Sequence, residues 1–128
     1  MGVEQRDLPN VPIQTLTVTQ ATQYYIQNYW KPLYSQISSQ AIASKLFDMG
    51  VLFGVGTAVK ILQTIFSMHG IIADGIFGPQ TLQIVNMAEP TGLLAVYKNA
   101  MYQRAVNVVA SNPGEAMFLG GWKNRIYS

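Results

Sequence analysis

Between Ala58 and Phe66 the apolar residues Ala58, Ile61, Leu62, Ile65 and Phe66 fill every position of an i, i+3, i+4, i+7, i+8 template. That is the pattern of a helix that buries one face. A helix of this length is marginal alone in water, so other segments must supply apolar surface to cover it. They carry the same period. Ile42, Leu46, Met49 and Phe53 form a stripe on a helix beginning near Ser38 or Ser39. Ala21, Tyr24, Tyr25 and Tyr29 share one side of an earlier helix. Leu94, Tyr97, Met101, Ala105 and Val108 mark the inward face of the longest one. No pair of segments alternates with the period of two that a half-buried strand needs.

Punctuation divides these runs. Thr17 stands three residues before Gln20, the spacing of a capping box. The first helix must stop before Pro32, which disfavours a helical Lys31. The run Gly54-Val55-Gly56 separates the second helix from the third, which stops near Gly70. Pro79 opens a short fourth helix that reaches Ala88, and Glu89-Pro90 closes it. Thr91 reads as the cap of the longest helix, Ser111 to Gly114 ends that one, and a short terminal helix carries Phe118 and Trp122. Residues 1–16, with Pro9 and Pro12, read as an extended lead-in. The expected fold is all-α: a compact orthogonal bundle of about six helices, forming a single domain over residues 17–128.

Composition narrows the function. A chain of 128 residues suffices for one domain that buries about two thirds of its unfolded surface. The eight Lys and Arg are scattered from Arg6 to Arg125, and the net charge is only +2. Nucleic-acid binders concentrate such charge on one face, so no nucleic-acid partner is expected. No apolar run approaches the length of a membrane span, and the amino end lacks the apolar core of a Sec signal peptide. The chain has no cysteine and one histidine, His69, so no disulfide, thiolate chemistry, metal or cofactor is expected.

The segment Asp74-Gly75-Ile76-Phe77-Gly78-Pro79-Gln80-Thr81 lies between two helical runs and is dense in turn residues. Gly75 and Gly78 suit positive φ or close backbone approach. Asp74 can accept from the N–H groups that follow it, making an Asx-type turn. The Thr81 hydroxyl lies where it can reach back. Together they form a rigid corner, which the residues by themselves favour as a structural helix-to-helix connector over a platform of backbone donors.

Glycoside hydrolysis asks for a carboxyl that protonates the leaving oxygen, commonly with a second one opposite. The six acids are Glu4, Asp7, Asp48, Asp74, Glu89 and Glu115, and no two show the pairing this chemistry uses. Asp48 suits a partly buried carboxylate that ties its helix to a neighbour, and Glu115 suits a helix start. No catalytic residue is assigned. Sugar rings pack flat C–H faces on aromatic rings, which makes Trp30, Tyr29, Tyr34 and Trp122 candidates for ligand contact or for core packing. For Tyr24 and Tyr25 the helical stripe favours the core.

The same turn resembles the D-G-x-x-G-x-x-T signature of peptidoglycan-binding domains. Around it, Leu46 to Gln63 is similar to the segment that precedes it in glycoside hydrolase family 108, the N-acetylmuramidases. Tyr29-Trp30-Lys31-Pro32-Leu33 and Gly121-Trp122-Lys123-Asn124-Arg125 resemble that family's Y-W-x-P-L and G-W-x-N-R elements. These landmarks follow in order from residue 24 to residue 126. The resemblance implies the lysozyme-like carboxy-terminal lobe of a phage or bacterial wall-lytic protein that acts at the cell wall. Its partner would be peptidoglycan, and Trp30, Asp74, Gly75, Gly78, Thr81 and Trp122 would be the contact candidates. The family's catalytic Glu-Gly-Gly element does not occur in this chain: Glu4 is followed by Gln5-Arg6. Two rival readings are a complete or residual lysozyme-like muramidase using Asp48 or Glu89 as its acid, and a catalytically dead scaffold that pairs with another protein through exposed Met and Tyr.

Overall fold

The computed structural model describes residues 18–128, so the lead-in expected over residues 1–16 and the Thr17 cap lie outside it, as does the Tyr25 side chain. Among the described residues there are six α-helices and no strand. They are α1 (Val18–Tyr29), α2 (Gln40–Phe53), α3 (Val55–Ile65), α4 (Pro79–Met87), α5 (Pro90–Ser111) and α6 (Leu119–Tyr127). Short 3-10 helices cover Pro32–Gln36, Ser67–His69 and Pro113–Phe118. The expected all-α fold is the one observed.

Local chemistry sets the boundaries. Ser39 caps α2, its Oγ accepting from the Ile42 N–H at 3.3 Å. Gly54, at φ 96°, ends α2 and begins α3, a conformation that L side chains rarely adopt. The cap of α5 differs from expectation. Glu89, not Thr91, takes that position: its carboxylate accepts from the Thr91 and Gly92 N–H groups. Pro90 occupies the first turn, where a missing N–H costs nothing.

One core cluster runs from Tyr34 to Ile126, with Leu46, Met49, Leu62 and Met101 near its centre. α2 packs on α3 and α5, and α3 packs on α5. The buried face of α3 is rotated from the expected stripe. Ala58, Val59, Leu62, Gln63 and Phe66 are buried, whereas Ile61 and Ile65 are half-buried. On α5 the buried row is Leu93, Tyr97, Met101 and Ala105, with Leu94 and Val108 half-buried.

The carboxy-terminal helix is tied down by a buried amine. Lys45 is 6% exposed and its Nζ donates to the backbone oxygens of Arg125, at 2.9 Å, and Ser128, at 3.3 Å. Asp48 completes the tie: its carboxylate lies 3.3 Å from Arg125 Nη2 and 3.7 Å from Lys45 Nζ. Burial lowers the Lys45 pKa, and Asp48 opposes that shift.

Candidate functional site

The glycine-rich turn is organised around a side chain that its own signature does not contain. Gln63 of α3 is 1% exposed, and its amide faces the turn. Its Oε1 accepts from the Gly75 N–H at 2.9 Å. Its Nε2 lies 2.9 Å from the Ile76 carbonyl, 3.1 Å from Asp74 Oδ1 and 3.1 Å from Thr81 Oγ1. Two N–H hydrogens thus serve three oxygens, and both ends of the amide are used. Asp74 Oδ1 also accepts from the Ile76 N–H at 2.9 Å, the Asx turn the sequence implies. That N–H, followed by the Gln63 amide, lowers the Asp74 pKa, so the exposed carboxylate stays ionised through the neutral range.

The two glycines of the turn are not equivalent. Gly75 has φ 79°, and a Cβ there would meet the Gly56 carbonyl oxygen at 3.1 Å. It meets both expected demands, left-handed backbone and close approach. Gly78 meets neither: its backbone is extended, with φ −103°, and a Cβ there would find open space. Thr81 is 4% exposed, so its hydroxyl serves the hub rather than the surface.

Trp30 braces the turn at one remove. Its Nε1–H donates to Ser35 Oγ at 3.0 Å, and its ring meets Tyr34 and Phe47 edge-on at 5.6 and 5.7 Å. Tyr34 in turn meets Phe77 of the turn edge-on at 5.3 Å. Tyr34 is 1% exposed, which removes it from the ligand-contact candidates and makes it core. Trp30 remains half-buried. Trp122 belongs to a separate aromatic group, packed edge-on against Phe53 at 5.6 Å and stacked with the exposed Phe118 at 6.0 Å. The structure therefore gathers Asp74, Gly75 and Thr81 around Gln63, connects Trp30 through two rings, and leaves Trp122 elsewhere.

Two adjoining hollows open beside the turn. One, of about 420 Å³, is lined by Gln63, Ile72, Asp74, Ile76 and Pro79 among others. The other, of about 610 Å³, lies between the Ser67–His69 turn and α4, where Phe66, Ile84 and Met87 give it apolar surface. His69 and Gln83 add polar groups to it. Ile71 and Gln80 line both hollows, so the two are neighbours along one face, here called the groove. Each volume falls within the roughly 300–1,000 Å³ typical of ligand sites. His69 sits in the 3-10 turn rather than in α3, and among the described residues no group of three or more His, Cys, Asp or Glu is placed to hold a metal ion. Likewise, no described helix is long and apolar enough to cross a membrane.

Residues 57–127 match the sequence model of the family described as "Predicted Peptidoglycan domain". The chain belongs to that family. Residues 1–54 match a second model, glycosyl hydrolase 108. The two matches adjoin at Gly54 to Gly56, the break between α2 and α3, although the core is continuous across it. Among solved structures, SagA of Brucella abortus shares the fold, with a TM-score of 0.73 at 23% identity. The match covers 98% of this chain and 65% of that one, so the chain spans about two thirds of the length of SagA. No curated protein matches the chain. Gln63, the turn and the whole groove fall inside the peptidoglycan-domain segment, whereas Trp30 falls inside the glycosyl hydrolase segment.

Sequence reasoning missed Gln63, although a signal was present. Val59, Leu62, Gln63 and Phe66 sit at i, i+3, i+4 and i+7, so the amide lies on a helical stripe that is otherwise apolar. A polar residue buried there needs partners, and the turn supplies them.

Proposed function

We propose that this chain is a cell-wall module that binds bacterial murein, with the Gln63-pinned turn and its groove as the contact face. The observation that carries the reading is the hub: one buried amide fixes Gly75, Ile76, Asp74 and Thr81 at once. An Asx turn alone serves a connector equally well; what goes beyond one is the exposure of Asp74 and Ile76 beside two open hollows. The peptidoglycan-domain family and the partial match to glycosyl hydrolase 108 support the same direction.

Three of the four described acids hold hydrogen bonds or ion pairs within the fold, and the fourth sits at a helix start. Asp48 pairs with Arg125 and Lys45, Asp74 holds the turn, Glu89 caps α5, and Glu115 lies in the first turn of the Pro113–Phe118 helix. These placements favour binding over hydrolysis as the role of residues 18–128. Co-sedimentation with purified murein sacculi tests the proposal. The folded chain is expected in the pellet at low and moderate salt; a chain that stays in the supernatant overturns it.

A further inference from the structure

The groove beside the turn carries chemistry that separates the two halves of murein, its glycan strand and its peptide stems. We infer that it takes a run of N-acetylated sugar rather than a stem peptide, an inference that rests on the murein reading above. The argument is one of charge and group type. Among the described residues, Asp74 is the only carboxylate lining either hollow, no Lys or Arg lines them, and His69 is the one other ionisable side chain there. Stem peptides carry carboxylates, and here they would meet no described Lys or Arg and would lie near a carboxylate held ionised by the Ile76 N–H and the Gln63 amide. Like charges held close disfavour such a ligand.

A chain of neutral N-acetylhexosamines meets matching groups. The Gln80 and Gln83 side chains, both exposed on α4, offer amide donors and acceptors for acetamido and hydroxyl groups. The Asp74 carboxylate accepts from vicinal sugar hydroxyls, since an ionised carboxylate is acceptor-only. Apolar sugar faces have surface to cover: Ile72, Ile76 and Met87 are 79%, 69% and 78% exposed along the groove. The shared residues Ile71 and Gln80 set the two hollows side by side, an extended arrangement that suits a linear polymer better than a compact ligand.

The test uses the full chain, with tetrameric N-acetylglucosamine as the glycan probe and a murein tripeptide as the stem probe. The chain and its Gln80→Ala/Gln83→Ala variant are compared for retention on sacculi, with each probe as competitor. The inference expects the tetramer to compete, the tripeptide not to, and the variant to bind at least fivefold more weakly with an unchanged melting curve. If the double variant melts early, Gln83→Ala alone, at an exposed site, is read in the same way. Retention of the wild type with competition by the tripeptide alone, or with equal binding by the variant, overturns the glycan assignment and leaves the murein reading standing. Failure of the wild type to bind sacculi removes both.

Discussion

Gln63 and Thr81, eighteen residues apart, meet in a buried hydrogen bond of 3.1 Å that joins α3 to the first turn of α4. The same amide reaches the loop between them, so the helix, the turn and the following helix hold one geometry. Replacing Gln63 by Leu keeps the bulk but strands a buried hydroxyl and two backbone groups. Each such group costs about 1–3 kcal/mol, offset here where water can reach the turn. The expected loss is about 2–4 kcal/mol in urea unfolding. A change below ~1 kcal/mol means that the hub does not hold the corner.

The two turn glycines give a paired test. Gly75→Ala places a side chain in left-handed backbone, at roughly 1–2 kcal/mol, and drives its Cβ toward the Gly56 carbonyl. Gly78→Ala, in extended backbone with open space around it, is expected within about 0.5 kcal/mol of wild type. Thermal melts of the two variants decide this, and equal destabilisation contradicts the geometry described for the turn.

Asp74 predicts a pH dependence. Its folded pKa is lower than its unfolded one, so the folded state binds the proton less readily. The contribution is therefore full above the unfolded value, and it is lost as pH falls below about 4 and passes through the depressed folded value. Asp74→Asn should flatten this part of the acid limb in a pH series of unfolding midpoints. An acid limb unchanged by the substitution contradicts the Asx turn as the cause.

Two substitutions test the cap of α5. Glu89→Ala removes the acceptor of the Thr91 and Gly92 N–H groups and should cost about 1 kcal/mol. Thr91→Ala should leave stability nearly unchanged, because its hydroxyl is not the cap. The opposite ranking in urea titrations restores the sequence-based assignment.

Much of this was legible in the residues, and the misses share a physical cause. Apolar period and Gly/Pro punctuation give the helices and their order, because burial of one face and missing N–H groups act locally. The Asx role of Asp74 is legible for the same reason. Gln63 is not, since its partners lie eleven to eighteen residues away and only the fold brings them together. The α3 stripe is rotated in the same direction, with Val59 and Gln63 buried and Ile61 and Ile65 only half-buried. Glu89 is hidden by statistics, because Glu is a poor cap in general, while Pro90 at the first turn was the available clue. The groove is a property of two elements meeting, and neither His69 nor Gln83 announces it in the sequence.

Amide hydrogen exchange, measured with and without murein sacculi, tests most directly whether the pinned turn is the wall-contacting face. The account predicts added protection at Gly75 and Ile76 and along the α4 face carrying Gln80 and Gln83, with Phe118 to Trp122 unchanged. Protection confined to the Phe118 and Trp122 surface, or no added protection on bound protein, contradicts it.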